Sequence, residues 1–167
     1  FNNIAVAARH AQRAHGLRRI AIVDWDVHDG NGTHELFYDD PDVLFVSLHQ
    51  EGLFPVDMGL VEQVGSGAAA GRTVNIPLPA GCGDAAYNAV LERVVLPIVR
   101  QFAPDLLLVS CGLDASAFDP LGRMNVSSEG FRELARAALA LAEACCGGRL
   151  VVVHEGGYSQ TYVPPCT

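Results

Sequence analysis

The chain has 167 residues, half of them apolar, with 19 acidic residues against 11 basic ones and a formal charge of −8. That length buries one sizeable core and is short for two ordinary domains, and a net-negative chain with no basic run longer than Arg18-Arg19 argues against direct phosphate-backbone binding. All 11 basic residues are arginines, so a Schiff-base lysine and a P-loop lysine are both excluded.

The five cysteines (Cys82, Cys111, Cys145, Cys146, Cys166) show no CxxC spacing and read as reduced thiols of a cytoplasmic protein. No apolar stretch approaches the ~18 residues of a membrane span, and no signal-peptide pattern is visible.

In chain order, residues 4–15 carry Ala and other apolar residues at helical spacing, and Gly16 follows as a stop signal. Residues 20–23 form a short apolar run of the kind that makes a fully buried strand; residues 43–46, 74–76, 106–109 and 150–153 read the same way. The clearest helices are predicted over residues 84–101 and 128–146, the second with a serine cap at Ser127-Ser128. Buried strands alternating with helices predict an α/β fold, a mostly parallel sheet with helices on both faces. Residues 50–72 form a long Gly-rich connection, expected to be a functional loop. Within it, Gly65-Ser66-Gly67 and Gly71 miss the dinucleotide fingerprint, because the third glycine is one place too far and no buried strand leads into the run.

Ligands of open α/β sheets bind beyond the carboxyl ends of the strands. Four of the five ends here are strongly polar: Asp24-Trp25-Asp26-Val27-His28-Asp29, Ser47-Leu48-His49, Ser110-Cys111-Gly112-Leu113-Asp114, and His154-Glu155-Gly156-Gly157-Tyr158. Alternate residues of an extended segment point the same way, which puts Asp24, Asp26 and His28 on one side. Acids crowded there repel one another unless a cation sits among them. Asp114 from a neighbouring strand end completes a histidine with two carboxylates, the ligand pattern of a catalytic zinc with an open position. Capping of the next helix by Asp24 or Asp26 accounts for the spacing equally well, and the spacing alone leaves both readings open.

Six stretches, in order along nearly the whole chain, resemble the histone deacetylase and acetylpolyamine amidohydrolase family, above all its class II branch and bacterial homologues. They are Phe1-Asn2-Asn3, Asp24 to Thr33, Val46-Ser47-Leu48-His49-Gln50, Asn75-Ile76-Pro77-Leu78-Pro79, Asp114 through Asp119-Pro120-Leu121-Gly122, and Glu155-Gly156-Gly157-Tyr158. The resemblance implies an arginase/deacetylase-like fold and hydrolysis of an N-acyl amide, either acetyl-lysine in a peptide or protein or an acetylated polyamine. It implies that Asp26, His28 and Asp114 hold zinc and that Tyr158 polarises the scissile carbonyl. Asp24 resembles the aspartate that orients a base histidine and helps to hold a monovalent cation, potassium, together with Ser47, Leu48 and main-chain oxygens of Asp24, Asp26 and His28. Phe54 and Leu121 resemble walls of the tunnel for the acyl-lysine stem, and Gly156-Gly157 lets the backbone approach the substrate. His49 is expected to be structural, His10, His15 and His34 to be solvated or hydrogen-bonded, and His154 to lie outside the site.

The departures from the family pattern carry their own expectations. Family members have a pair of adjacent histidines and a tunnel phenylalanine upstream of the segment matching Phe1-Asn2-Asn3, and further helices after the tyrosine loop. Residues 1–167 are therefore expected to be a partial catalytic domain, incomplete on the N-terminal side and after the tyrosine loop. Such a domain is expected to turn over poorly and, with an edge of its sheet uncovered, to associate as a homo-oligomer. Asp29 stands where a second histidine is usual, Leu113 where phenylalanine is usual and Ser116 where histidine is usual. Leu121 replaces the glutamate of the polyamine-selective branch, which favours acetyl-lysine over polyamine. The rival expectation is a catalytically silent module that binds metal or a partner protein without turnover.

Overall fold

The five apolar runs become one sheet in a computed structural model that describes residues 1–167: β1 (Ile20–Asp24), β2 (Val43–Gln50), β3 (Thr73–Leu78), β4 (Leu106–Cys111) and β5 (Leu150–His154). All neighbours pair in parallel, in the order β3-β2-β1-β4-β5. The chain winds outward from β1 through β2 to β3, then returns to the other side of β1 with β4. Between β1 and β4 the winding reverses, and the crevice beyond their carboxyl ends is where such sheets hold ligands. In register, Asp24 faces Ser47 on one side and Ser110 on the other.

Helices cover both faces. Helix α1 (Asn3–His15) is capped by the Asn2 side chain, which accepts from the Ala5 N–H at 2.9 Å, and α2 (Asn31–Phe37) follows the polar segment after β1. Alternate strand residues sort between two cores. Ala21, Val23, Leu44, Val46, Leu107 and Val109 join the larger one under α3 (Asp84–Val90), α4 (Leu96–Phe102) and α5 (Ser128–Cys146). Ile20, Ile22, Val43, Phe45 and Leu108 pack with Ile4, Ala8 and Phe37 on the α1–α2 face. Each fully buried Val, Leu, Ile or Phe contributes ~1.5–3 kcal/mol to holding the layers together.

Two predicted elements differ from the structure. The helix expected over residues 84–101 is one helical path interrupted by a π-helical turn, Leu91–Val95, between α3 and α4. Pro97 at the start of α4 explains it: proline has no N–H to donate and its ring collides with the carbonyl four residues back, and a widened turn relieves both.

The second difference is β5. Its residues were expected to be fully buried, yet it is the edge of the sheet, with Val151 and Val152 44% and 52% exposed. An apolar run reports that a strand belongs in a core without saying which element covers it. Here α5 covers only part of β5, leaving an apolar groove of about 380 Å³ lined by Leu139, Leu150, Val152 and Cys166.

A short helix, α6 (Val163–Cys166), ends the chain. All five cysteines are free thiols. No helix is long and apolar enough to cross a membrane. The Gly65-Ser66-Gly67 segment is a surface turn, the Ser66 N–H donating to the Tyr38 carbonyl at 2.9 Å.

Candidate metal centre

The chain leaves β1 through a series of bends, and alternation places its side chains. Trp25 and Val27 enter the larger core, leaving Asp24, Asp26 and His28 on the opposite side. Each acid folds back on an amide two residues later: Asp24 Oδ1 accepts from the Asp26 N–H at 3.0 Å, and Asp26 Oδ1 from the His28 N–H at 2.9 Å. Asp114, in the segment after β4, reaches across the crevice so that its Oδ1 accepts from the Val27 N–H at 2.8 Å.

These bonds bring Asp26, His28 and Asp114 together, with one possible ligand atom from each lying within 4.8 Å of the others. His28 Nδ1 stands 2.9 Å from Asp26 Oδ1 and 3.2 Å from Asp114 Oδ2. Asp114 is fully buried and its Oδ2 accepts no hydrogen bond of good geometry. A buried carboxylate oxygen left without a donor costs ~1–3 kcal/mol or more, which a cation among the three side chains offsets.

The backbone around the trio leaves no room for side chains. A Cβ on Gly156 would lie 2.2 Å from Asp114 Oδ2 and 2.5 Å from Asp26 Oδ2, and one on Gly112 would lie 2.4 Å from Asp26 Oδ2. Because Gly156 comes so close, its N–H donates to Asp26 Oδ2 at 2.9 Å. Donor chemistry, the orphaned oxygen and this glycine cradle all fit a small divalent cation such as zinc.

Electrostatics follow from the crowding. The Asp114 carboxylate 3.2 Å away, then the hydrogen bond to Asp26, raises the His28 imidazole to about 10. Burial opposes the charge of Asp26, but hydrogen bonds from His28 and the Gly156 N–H outweigh it and hold that carboxyl below the usual range. Burial pushes Asp114 up, and it pushes Asp24 well above the usual carboxylate range with the help of the Asp26 charge.

Tyr158 stands beside the trio, its ring centroid 6.4 Å from that of His28 and nearly perpendicular to it. Gly157 before it has φ +135°, a conformation that L side chains rarely adopt. Burial, then the charges of Asp114 and Asp26, raise the Tyr158 hydroxyl and keep it protonated.

The remaining expected site residues are more scattered. Leu48 points into the larger core, and Ser47 Oγ lies 2.9 Å from His49 Nδ1. The other ring nitrogen of His49 is 3.0 Å from the Gly59 carbonyl, which ties the 51–72 loop to β2. Phe54 and Leu121 sit on loops, 74% and 50% exposed.

Asp29 is buried, with both carboxyl oxygens lacking donors and one lying 4.0 Å from His49 Nδ1, and burial raises it to about 6. His10 pairs edge-on with His15, His34 stacks on Tyr38, and His154 lines the apolar groove under α5. Behind the trio opens a polar cavity of about 350 Å³ lined by Asp24, Asp26, His28, Asp29, Asn31 and Glu155.

Sequence reasoning overlooked Gly112, the Val27 N–H and Asp119, whose carboxylate accepts from the Tyr158 N–H at 2.8 Å. Gly112 had a signal, standing two residues before Asp114, but a main-chain donor has none.

Comparison with known proteins identifies the family. A family model for the histone deacetylase domain matches residues 1–167. A histone deacetylase-like amidohydrolase of Pseudomonas aeruginosa is 48% identical over 166 residues, covering 99% of this chain and 44% of the relative. A probable deacetylase of Archaeoglobus fulgidus is 44% identical over 167 residues, covering all of this chain and 46% of the relative. The solved structure of the histone deacetylase Clr3, a Schizosaccharomyces pombe protein, superposes with a TM-score of 0.92 at 39% identity, covering 99% of this chain and 28% of that one. The chain thus spans less than half the length of each of these proteins.

Proposed function

The chain belongs to the histone deacetylase family, and from that premise we propose that it carries the metal centre and the oxyanion tyrosine of a zinc-dependent amidohydrolase acting on acetyl-lysine. The observation that carries the reading is the convergence of Asp26, His28 and Asp114 around an Asp114 oxygen that has no donor of its own. When bound there, zinc supplies Lewis-acid polarisation of an acyl carbonyl and of a water.

The chain's own groups do the rest. Val27 and Gly156 donate main-chain hydrogen bonds that aim Asp114 and Asp26. The Tyr158 hydroxyl, held in its protonated form, donates to the carbonyl oxygen as negative charge develops there. Gly156 and Gly157 let the backbone come close to the substrate, while Phe54 and Leu121 present apolar faces to its stem.

Asp24 and Ser47, adjacent in the β1–β2 register, are assigned with Leu48 and the main-chain oxygens of Asp24, Asp26 and His28 to a potassium site. Asp24 also has the place of a carboxylate that orients a base histidine, but no imidazole in this chain hydrogen-bonds to it. That observation favours a second reading, a module that binds metal and acyl-lysine with little turnover. An acetylated polyamine is the alternative substrate, and a homo-oligomer is the assembly proposed for this chain alone.

The test is zinc binding by the 167-residue chain and its Asp114→Ala variant, followed by hydrolysis of a fluorogenic acetyl-lysine substrate. One zinc per chain is expected in the parent and none held tightly in the variant. Without a histidine base, turnover should fall short of a complete deacetylase by ~10²–10⁴. Equal zinc binding by Asp114→Ala ends the reading.

A further inference from the structure

We propose that Asp119 is a positioning residue, a single buried carboxylate that sets Tyr158 and the Leu121 turn at a fixed spacing in front of the metal centre; this rests on the role proposed above for Tyr158. Asp119 is 8% exposed. Its Oδ2 accepts from the Tyr158 N–H at 2.8 Å, while its Oδ1 accepts from the Leu121 N–H at 2.9 Å and the Gly122 N–H at 3.3 Å. One side chain thus binds two loops that are 39 residues apart in sequence.

A carboxylate that served only its own turn would need one oxygen. Aspartate commonly caps the amides two and three residues ahead of it, and Oδ1 does that here. The second oxygen instead reaches the main chain of the tyrosine itself.

That bond is the tie the tyrosine needs. Tyr158 is 49% exposed, so packing fixes it poorly, and Gly157 before it brings backbone freedom. At the other end, Gly122 packs so closely on the Asp114 carbonyl that a Cβ there would lie 2.5 Å from it. The connection runs from a metal ligand through the Gly122 turn and the Asp119 carboxylate to Tyr158.

A second clasp reinforces it. The Phe118 ring lies 4.9 Å from the Tyr162 ring, and the Tyr162 hydroxyl accepts from the Ser128 N–H at 2.9 Å at the start of α5. Hydrogen bonds to a charged acceptor are about twice as strong as neutral ones, and oxyanion donors act only when placed within a few tenths of an ångström.

The test uses the zinc-loaded 167-residue chain with ¹³Cζ-labelled tyrosine, and acetate, the product of the proposed reaction, as the probe. Acetate should shift the Tyr158 resonance, identified by its disappearance in Tyr158→Phe. In Asp119→Ala the shift should be lost while zinc affinity is unchanged. Asp119→Asn keeps the shape but has one acceptor oxygen for two loops, so it should fold normally with the shift reduced, and it keeps the test meaningful if the alanine variant unfolds.

A full shift in a folded Asp119→Asn or Asp119→Ala protein overturns the proposal and leaves the reading of Tyr158 standing. No shift in the parent chain, with zinc bound, removes Tyr158 from the site and the positioning role with it. A shift lost together with zinc affinity marks Asp119 as general support for the fold and also overturns the proposal.

Discussion

The metal corner and the β5 edge of the same sheet are finished to different degrees. At the corner, backbone amides of Asp26, Val27, His28 and Gly156 hold the acidic oxygens, and glycines clear the space between segments that meet there. At the edge, Val151 and Val152 face outward beside an apolar groove. Parallel sheets are ordinarily covered on both faces, so the edge is the side on which the fold is open. The contrast shows that the Asp26, His28 and Asp114 corner is organised by the ends of β1, β4 and β5, while the outer side of β5 is left without a covering element.

Tyr158 sits between these extremes, and its substitution tests how far the organised corner extends. Tyr158→Phe should lower acetyl-lysine hydrolysis per bound zinc by ~10²–10³, because one oxyanion donor is removed while the ligands stay in place. Parallel measurement of zinc content and rate checks this. An unchanged rate would make Tyr158 a packing residue and confine the organised region to the three ligands.

The next substitution attacks the corner without touching a ligand. In Gly156→Ala the new methyl group would lie 2.2 Å from Asp114 Oδ2, so either the loop or the ligand must move. Zinc affinity should fall by ~10–100-fold, the usual consequence of disturbing a ligand's support. Competition with a zinc-sensitive chelator measures it. Parent-like affinity would show that the corner is softer than its close contacts suggest.

What was legible in the sequence divides along the same line. Apolar runs fixed the five strands, because burial of a parallel strand leaves a continuous apolar signature, and their polar ends pointed to the crevice between β1 and β4. The strand order was not legible, nor was the exposure of β5, since both depend on which elements meet in space. The gathering of Asp26 and His28 could be anticipated from alternation along one segment. Asp114, 86 positions after His28, could be joined to them as the polar end of another strand, but only the family resemblance decided between a metal site and helix capping. The π turn at Leu91–Val95 had a visible cause in Pro97, yet a helical period reads through such a turn without a break. Main-chain donors such as the Gly156 N–H leave no mark in a sequence at all.

The smallest expected effect concerns the open edge. Val152→Glu places a charge on an edge strand where Val152 is already 52% exposed, so the folded state loses little packing. Stability should change by no more than about 0.5 kcal/mol, as for other surface positions. Self-association should weaken, because a charge beside unpaired strand groups opposes edge-to-edge pairing and interrupts the apolar groove. A more negative chain also repels itself wherever the charge is added. Leu36→Glu on α2, 54% exposed and outside the groove, separates the two causes. Sedimentation velocity over a range of concentrations should show association in the parent and in Leu36→Glu, and mostly monomer in Val152→Glu. Equal weakening in both variants would assign the effect to net charge, and the edge would then be no more adhesive than the rest of the surface.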